Sequence, residues 1–482
     1  METERKPVEV SSMRSLLARI RYFHSVLHNT LGLDIWDLNY TYSNPRALKR
    51  YIAIGSDWPT KLGLLPRIMS FFFHMVEGFG HILTIKSPPI TPGAILLFAI
   101  TQNQTNSLSP LLAQLENCYL VKDRHKVREG VLFPACWAYL LSLFFLPLLL
   151  YQFWSKRRQL DTRAIGRYRF DGYWLAYGYY VVTRLWLHKV RPAAVIVSND
   201  HSMECRVWNK AAREENIPTF YLQHAAVSEE FPPLSFDYAL LDGIDAFELY
   251  EHIGPSTTQV YLVGNVKHDR YFPQINTNTI AKSAGICTSI LDPIESAATV
   301  CQGLRSAFPE HVFRLRPHPG DKRFEEWRKV ATEYTMEFSD PKLQNSYDFL
   351  QSVDAIIAGS TSIHIEAALL NVYPIFYNFS QNSMFQVYTF LERNLCDNAQ
   401  SPDEILSILT KLTQCKPNIR ERAKPYCATI HTAFDGRAHQ LVKGLLESLV
   451  TTGAVSYGNW QRLHGYSLTG YQLADPSEGP SR

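Results

Sequence analysis

The chain of 482 residues lacks the features that would assign it to several common classes of protein. Its eight cysteines form no C-x-x-C pair, and none lies at zinc-ligand spacing from a histidine, so we expect reduced core thiols. A net charge of only +3 gives no strong field for nucleic acid. Because no D-x-D triplet offers a carboxylate pair for a divalent ion, we expect neither a metal nor an organic cofactor.

The N-terminal 23 residues also lack an apolar signal-peptide core, since charged residues are spread through them. With the scattered cysteines, this predicts a reducing, cytoplasmic location. The composition is that of a globular protein, with 46% hydrophobic and 19% charged residues. At this length the sequence predicts two domains or more.

One apolar run, residues 131–154, contains no charge and is long enough to span a bilayer. It lies between two predicted strands of one sheet, which a single crossing would place on opposite sides. Both flanks are basic, at 122–128 and at 156–169. This favours a helix in the membrane interface or a shallow hairpin bent near Pro147. A fully buried core helix remains the alternative, and a true span a third.

Short apolar strands alternate with helical patterns along the rest of the chain, which predicts parallel, doubly wound sheets. The strands are expected at 94–101, 193–198, 218–224, 236–243, 259–265, 311–316, 353–360 and 372–378. A polar loop is expected at 102–109, followed by a helix beginning at Ser109 and Pro110.

The predicted fold is α/β, with two Rossmann-like domains facing a central cleft. We expect a mainly helical N-terminal extension over 1–92, then a first Rossmann-like domain over 93–268 that carries the apolar insert. A second Rossmann-like domain covers 269–450, and the Gly-, Ser- and Pro-rich residues 451–482 form a loose tail.

Polar clusters follow several of the predicted strands, and ligands of doubly wound sheets bind beyond the carboxyl ends of strands. In the second half, GSTSIHIEAALLN at 359–371 places hydroxyls at the start of a helix, a seat for phosphate. Glu366 lies one turn further on and could accept hydrogen bonds from ribose. Ordinary helix capping is the alternative. The predicted phosphate-binding hydroxyls are those of Ser360, Thr361 and Ser362.

A second cluster, RPHPGD at 316–321, follows a neighbouring strand. His318 can donate to a phosphate oxygen, Arg316 can neutralise its charge, and the prolines fix the backbone between them. With the hydroxyls about 40 residues later, this cluster predicts a nucleotide mono- or diphosphate site.

The first half offers candidates for proton transfer from a hydroxyl, which needs a base whose pKa can be tuned toward neutral. His224 and Asp200 are the candidates, each with a capping role as the alternative. Gln223 and His201 lie beside them and are predicted to contact the acceptor.

The strand-ending QH, the YLVGN strand with Asn265, RPHP and GSTSIHIEA together resemble bacterial GT-B glycosyltransferases of surface polysaccharide synthesis. The resemblance covers about residues 190–380 and extends to capsule transferases that use CMP-sugars and to CDP-glycerol glycerophosphotransferases. It implies that His318 and the three hydroxyls at 360–362 hold the donor phosphate, with Asn265 in the donor site. It also implies that His224 serves catalysis or the acceptor. Ala225 stands where the QHG motif has glycine.

The resemblance implies a metal-independent transferase that moves a sugar from a CMP- or UDP-activated donor to a glycan or lipid-linked acceptor. Its expected location is the inner face of the plasma membrane, as a peripheral or monotopic protein. Three alternatives remain: an enzyme like UDP-GlcNAc 2-epimerase, a glycerophosphotransferase, or a silent scaffold of a polysaccharide assembly. The scaffold would not bind nucleotide.

Overall fold

The computed structural model describes residues 8–54, 63–84, 89–123, 130–380 and 388–474. Residues 124–128 of the predicted basic flank and 475–482 of the predicted tail lie outside this part of the chain. The chain divides into two compact units, the first of residues 1–108 and 115–221, the second of 109–114 and 222–482.

The first unit contains a parallel sheet whose five strands run in the order β3-β2-β1-β4-β5. The chain passes from β1 to β2 and β3 on one side of the sheet, and then returns to β4 and β5 on the other side of β1. A topological switch point therefore lies between β1 and β4. The strands are β1 Ile95–Ala99, β2 Cys118–Lys122, β3 Val131–Leu132, β4 Ala194–Val197 and β5 Thr219–Leu222.

Helices make up the N-terminal part of this unit and the connections between its strands. The helix α9 is the longest, and its side chains from Tyr173 to Val182 are almost all buried. The helices of this part are α1 Val8–Leu31, α2 Ile35–Leu38, α3 Tyr40–Ser43, α4 Pro45–Ile54, α5 Leu64–Thr84, α6 Gln102–Leu112, α7 Ala135–Ser142, α8 Leu146–Lys156, α9 Thr162–Val190 and α10 Met203–Glu214.

The sequence prediction for residues 102–110 is wrong. The expected loop is the helix α6, and Pro110 lies inside that helix rather than at its start. The polar side chains hydrogen-bond within the helix: the Thr105 hydroxyl donates to the Thr101 carbonyl at 3.1 Å and the Ser107 hydroxyl to the Asn103 carbonyl at 3.1 Å. These bonds satisfy the hydroxyls within the helix, so the polar side chains are compatible with it.

The apolar run forms α7, a short 3₁₀ turn over Leu143–Phe145, and α8. By length and composition, Ala135–Lys156 could cross a membrane, and a third of its most apolar window is buried. The hairpin near Pro147 does not form, because Pro147 lies in the first turn of α8, where a missing N–H costs little. Nor is the run a fully buried core helix.

The close packing of α7 against α9 fixes the run on the first unit. At Gly178 of α9, any side chain would overlap the Ala138 carbonyl. The Ser142 hydroxyl accepts from the Gly178 N–H at 3.1 Å, and the Trp174 indole donates to the Ser142 carbonyl at 2.7 Å. One side of α7 is therefore tied to α9.

The second unit contains two groups of strands. Parallel strands β6 and β7 continue into the hairpin β15–β14, in the order β6-β7-β15-β14. The six-stranded parallel sheet has the order β10-β9-β8-β11-β12-β13. Its strands are β8 Ser283–Cys287, β9 Val312–Arg316, β10 Glu337–Phe338, β11 Ala355–Ala358, β12 Tyr373–Tyr377 and β13 Asp397–Ala399; the others are β6 Tyr238–Leu241, β7 Gln259–Leu262, β14 Trp460–Arg462 and β15 Gly470–Leu473.

Helices cover the six-stranded sheet on both faces, and successive residues of β11 belong to two separate hydrophobic clusters. Such burial on both faces is what an all-parallel sheet requires. Counted from β8, the strand order is 3-2-1-4-5-6, the order of dinucleotide-binding folds. The helices of this unit are α11 Ile244–Ile253, α12 Ile294–Ala307, α13 Phe324–Glu333, α14 Ser346–Leu350, α15 Ile363–Leu369, α16 Pro402–Gln414 and α17 Ala438–Thr452.

The expected loose tail is wrong for residues 460–473, which form the β14–β15 hairpin. Aromatic side chains hold the hairpin: Tyr471 stacks on Tyr261 at 4.9 Å, and Trp460 meets the same ring edge-on at 5.1 Å. Composition rich in glycine and serine predicted a loose chain, but the interspersed aromatic residues supply the buried area that orders it.

All eight cysteines are free thiols; six are buried, Cys118 is half-buried and Cys415 is exposed. The fold class predicted from sequence, α/β with two Rossmann-like parallel sheets, is confirmed. Each unit contributes one switch point, and several of the candidate site residues lie at these two places.

Candidate functional site

The switch point of the six-stranded sheet lies between β8 and β11. Thr288 follows β8, and its buried hydroxyl has no hydrogen-bond partner among the described residues. Gly359 follows β11 and leads into the predicted hydroxyl cluster. Ligands of open parallel sheets bind outside the strand ends at such a point.

The hydroxyl cluster forms a turn ahead of α15. The Thr361 N–H donates to the Gly359 carbonyl at 2.9 Å, and Ser362 occupies the N-cap position. The Ser362 side chain makes no capping hydrogen bond, so the capping alternative does not account for this hydroxyl. All three residues of the cluster are half-buried. Their hydroxyls are suited to oxygen-rich ligands.

A buried histidine fixes the backbone beneath this turn. His364 is fully buried, and its Nε2 lies 2.9 Å from the Gly359 carbonyl and 3.2 Å from the Ala358 carbonyl. Burial lowers the pKa of His364 to about 4, although the two carbonyls favour the charged ring. The neutral ring thus donates from Nε2 and holds the end of β11 in place.

The RPHPGD turn presents His318 at the end of β9. His318 is exposed, and its Nδ1 accepts a hydrogen bond from the Gly320 N–H at 3.0 Å. An imidazole nitrogen that accepts carries no proton, so the neutral ring holds its proton on Nε2. The packing around the ring lowers the pKa of His318, against the charge of Asp321. His318 is therefore set up as an Nε2–H donor.

The same turn is held from below by Asp321. Its carboxylate accepts from the Trp327 indole at 3.0 Å and from the Arg323 guanidinium at 2.7 Å. Burial opposes its ionisation, but the hydrogen bonds outweigh burial and lower the pKa of Asp321. Arg323 also donates to the Ile290 carbonyl at 2.8 Å. The turn is thereby tied to the loop that follows β8.

That loop, residues 288–293, lies between the two predicted clusters. A side chain at Gly320 would come within 3.3 Å of Ile290, and one at Gly359 within 4.0 Å of Asp292. The RPHPGD turn and the hydroxyl turn therefore flank the same loop, at the ends of β9 and β11, the two strands on either side of β8. The sequence predicted the two clusters on adjacent strands, but β8 lies between them; a phosphate site shared by both clusters stays a prediction.

Arg316 has a different environment from the one expected. Its guanidinium is buried, donates to the Ser339 hydroxyl at 2.8 Å and to the Gln344 carbonyl at 2.8 Å, and lies over the Phe349 ring. Burial lowers the pKa of Arg316. These contacts describe a residue that fixes the chain after β10, and its role toward phosphate stays a prediction.

Glu366 lies half-buried in α15, and none of the described residues donates a hydrogen bond to its carboxylate. Its charge acts on its neighbours: burial first, and then Glu366, raises the pKa of Tyr347 well above the usual value. Burial raises the pKa of Cys287 to about 12, and Glu366 adds to this against the opposing charge of Arg316. The carboxylate thus lies near the carboxyl end of β8 and is available to accept from ligand hydroxyls.

Asn265 and Gln223 are both predicted to contact substrates. In the structure their side-chain amides hydrogen-bond to other residues of the protein. The Asn265 amide donates to Asp242 at 2.9 Å and accepts from the His268 N–H at 3.2 Å. The Gln223 side chain accepts from the Asp242 N–H at 2.9 Å and donates to the Ala225 carbonyl at 3.0 Å. Both residues therefore organise the ends of β6 and β7.

His224, the predicted catalytic histidine, follows in the same region. It is half-buried, and its carbonyl accepts from the Lys267 ammonium at 2.7 Å. This bond fixes the backbone at the end of β5. The catalytic role of the imidazole stays a prediction.

Sequence reasoning missed three polar side chains of the second unit. Burial raises the pKa of Asp242 to about 8, against Lys267 and Asn265, so the carboxyl is largely protonated at neutral pH. His268 and Tyr347 are buried with no hydrogen-bond partner for either imidazole nitrogen or for the phenol among the described residues. Asp242 lies at the end of the strand predicted at 236–243 and directly follows the observed β6, so the strand-end rule could have found it; no local signal marks the other two.

The remaining candidates lie at the β1/β4 switch point of the first unit. Asp200 is buried, and its carboxylate lies 3.0 Å from His201 Nδ1. Asn199 Nδ2 lies 3.1 Å from His201 Nε2, which places the ring proton on Nδ1. Ser202, not Asp200, caps α10, so the capping alternative for Asp200 is wrong.

A cavity of about 260 Å³ opens at this switch point. Thr101 after β1 and His201 after β4 border it, and so does Arg169 of α9. Another cavity, of about 710 Å³, lies in the second unit beside the hairpin, and none of the predicted site residues borders it. Of the two residues predicted to contact the acceptor, His201 borders this first cavity and Gln223 does not.

The structure distributes the predicted residues over the two units. Asp200 and His201 lie in the first unit. The second unit holds the others: Gln223, His224, Asn265, Arg316, His318, Ser360, Thr361, Ser362 and Glu366.

Comparison with protein-family models gives no match, and comparison with curated proteins gives none. Solved structures with similar architecture include the UDP-GlcNAc 2-epimerase of Neisseria meningitidis bound to UDP-GlcNAc, with a TM-score of 0.48 and 12% identity over 74% of this chain and 100% of that one. MurG of Acinetobacter baumannii gives 0.39 and 11% over 74% and 100%. The wall teichoic acid polymerase TagF gives 0.45 and 11% over 81% and 98%. Likeness at this level assigns neither reaction nor substrate.

Proposed function

We propose that this protein is a glycosyltransferase that moves a sugar from a CMP- or UDP-activated donor to a glycan or lipid-linked acceptor in the synthesis of a cell-surface polysaccharide. The observation that carries the proposal is the β8/β11 switch point. There His318 offers an Nε2–H donor and Ser362 a hydroxyl that makes no capping hydrogen bond, on either side of one loop. The sequence resemblance to GT-B transferases supports the same reading.

In the proposed reaction, the bond between the sugar and the donor phosphate breaks and the phosphate leaves with the electron pair. His318 and the hydroxyls at 360–362 stabilise its developing charge by hydrogen bonds, which are stronger to an ionised acceptor. Glu366 accepts from the ribose hydroxyls. Because these hydrogen bonds stabilise the negative charge that develops on the leaving phosphate, the proposed reaction needs no metal and no cofactor.

The acceptor hydroxyl loses its proton to a base as it attacks the sugar carbon. That base is His224 or Asp200, whose carboxylate lies 3.0 Å from His201 Nδ1. The pairing fixes the orientation and tautomer of the imidazole beside Asp200, as a carboxylate partner does in known base dyads.

The proposal includes association with the cytoplasmic face of the plasma membrane through residues 135–156. Five large apolar side chains of this segment are 47–77% exposed: Trp137, Phe144, Leu150, Tyr151 and Trp154. Exposed arginines follow, at 157, 158, 163 and 167. Aromatic side chains with basic neighbours suit the boundary between acyl chains and anionic headgroups.

Thermal unfolding of the full-length protein with CMP, CDP, UDP, UMP, GDP and ADP tests the donor site. A ligand that binds only the folded state adds roughly 2.7 kcal/mol at about 100 times its dissociation constant, which is easily measured. We expect stabilisation by a cytidine or uridine nucleotide. Uridine preference without acceptor-dependent turnover would support the epimerase alternative. No stabilisation of folded protein by any nucleotide would leave the scaffold as the better reading.

A further inference from the structure

The cavity of the first unit lies where the topology of a parallel sheet predicts a ligand. Its wall includes Ile100 and Thr101 from the end of β1 and His201 from the end of β4, the two strands that flank the switch point. Its volume of about 260 Å³ far exceeds the roughly 30 Å³ that one water molecule occupies. The cavity therefore has room for a small polar ligand.

Arg169 supplies a positive charge to the wall of this cavity. At this residue the long helix α9 leaves helical geometry, with φ −149° and ψ 20°. A side chain at Gly172 would lie 2.6 Å from Arg169 Nε, so the glycine leaves room for the guanidinium. The guanidinium also lies 5.3 Å from the centre of the Tyr42 ring, another wall residue. The local backbone and sequence thus place the charge at the cavity.

The rest of the wall suits hydroxyl groups. Asn39, Thr41 and Thr101 are neutral polar residues, and Glu204 adds a buried carboxylate. A guanidinium pairs most favourably with phosphate or carboxylate, whereas amide, hydroxyl and carboxylate groups bind sugar or polyol hydroxyls. A ligand that matches both parts carries an anion and several hydroxyls.

The cavity wall is also connected to the apolar segment 135–156 by a short chain of aromatic contacts. Phe153 of α8 lies 5.0 Å from Trp36 and 5.6 Å from Tyr173, measured between ring centres. The Tyr173 hydroxyl lies 2.7 Å from the hydroxyl of Ser43, next to Tyr42 of the wall. Arg169 is near enough to lower the pKa of Tyr173, although burial raises it overall. The cavity thus lies one layer of side chains from the segment proposed to meet the membrane.

We propose that this cavity binds the phosphate ester of a sugar or polyol, with Arg169 holding the phosphate. The inference rests on the proposed function in one respect: it identifies this phosphate ester as part of the acceptor. The phosphate belongs to a soluble ester or to a lipid headgroup, and the experiment separates these sources.

The direct test is calorimetric titration of full-length protein with sn-glycerol 3-phosphate. The background is His318→Ala, which removes the other expected phosphate site. We expect Arg169→Gln to weaken binding by about tenfold or more, because a charged hydrogen bond is lost. Arg167→Gln is the matched control, since Arg167 is exposed on the same helix. Glycerol without phosphate should not bind measurably.

A second readout needs no substitution at Arg169. Met203 borders the cavity and is buried. In protein labelled with ¹³C at methionine methyls, with Met203→Leu for assignment, the Met203 signal should shift on adding sn-glycerol 3-phosphate. An unchanged Met203 signal overturns the proposal, and so does an Arg169→Gln protein that binds sn-glycerol 3-phosphate as tightly as its His318→Ala background. The Met203 readout holds even if the Arg169→Gln protein folds poorly, because it uses protein in which Arg169 is intact.

Vesicles distinguish the two phosphate sources. If the ligand is a lipid headgroup, phosphatidic acid added to phosphatidylcholine vesicles should increase binding of the wild type more than that of Arg169→Gln. For a soluble ester, the wild type and Arg169→Gln should gain equally. Nucleotide stabilisation measured on the same proteins reports the donor site. A Met203 response without nucleotide binding would therefore refute the proposed function alone, and the reverse result would refute this inference alone.

Discussion

His318 illustrates how a short motif fixes the chemistry of one side chain. The Gly320 N–H occupies Nδ1, so the proton of the neutral ring is on Nε2. Gly320 itself is constrained, because a side chain there would come within 3.2 Å of that same Nδ1. The glycine N–H and the prolines thus fix the orientation and tautomer of the histidine, which is the hydrogen-bond donor.

Replacing His318 by alanine should lower nucleotide affinity by roughly tenfold or more, the usual cost of a lost hydrogen bond to a charged group. The fold should remain intact because the side chain is exposed. Thermal stabilisation by the preferred nucleotide measures the effect. Lys322→Ala is the control, an exposed residue of the same turn. Equal stabilisation of the His318→Ala protein would rule out this assignment.

For single residues, the sequence indicates which side chains are candidates for a site, but it does not reveal their hydrogen-bond partners. His318 and Ser362 are recognisable because their surroundings are local. Arg316 and Gln223 carry the expected chemistry but bond to Gln344 and to Asp242, which no local pattern reveals. His268 is missed because its burial depends on chain segments far away in sequence.

Among the elements that sequence reasoning failed to identify, β8 matters most, because it is the first strand of the six-stranded sheet. Its sequence, SAGIC, contains small residues of low strand propensity. The structure gives the reason, since a side chain at Gly285 would overlap the Phe349 ring. A strand that needs small residues for close packing on one face lacks the run of large apolar residues by which strands are predicted.

Gly285→Ala should therefore destabilise the protein by about 1–3 kcal/mol through overpacking against Phe349. Chemical denaturation followed by tryptophan fluorescence measures this. The matched control is Gly303→Ala in α12, where the nearest atom is 3.9 Å away. The control should be neutral or stabilise by up to about 1 kcal/mol, since alanine favours a helix. A Gly285→Ala protein as stable as the wild type would contradict the packing argument.

The strands that the sequence did predict have apolar patterns that agree with their burial. The expected strands at 311–316, 353–360 and 372–378 contain β9, β11 and β12. In each, apolar residues recur with the period that the buried faces require. Helix α6 departs from this because polar side chains bond to their own helix.

At the scale of the molecule, the exposed apolar side chains of residues 135–156 predict membrane binding. The double substitution Phe144→Ser and Trp154→Ser removes side chains that are 77% and 60% exposed. We expect at least about a tenfold loss in sedimentation with phosphatidylcholine–phosphatidylglycerol vesicles, because each burial contributes about 1.5–3 kcal/mol.

Leu343→Ser is the control for that experiment. Leu343 is 88% exposed but lies in the second unit, away from this segment in the chain. It should leave vesicle binding unchanged. Equal sedimentation of the double variant and the wild type would show that the segment does not contact lipid.

The hairpin at 460–473 has a consequence for how the chain is made. Strand β7 has β6 on one side and β15 on the other, and about 200 residues separate β7 from β15. A ribosome adding roughly 5–20 residues per second needs about 10–40 seconds to cover that distance. During this interval β7 has an open edge while the whole six-stranded sheet emerges. The last strand to be synthesised closes the edge of one that emerged long before it, so the nascent chain must avoid pairing with other chains until then.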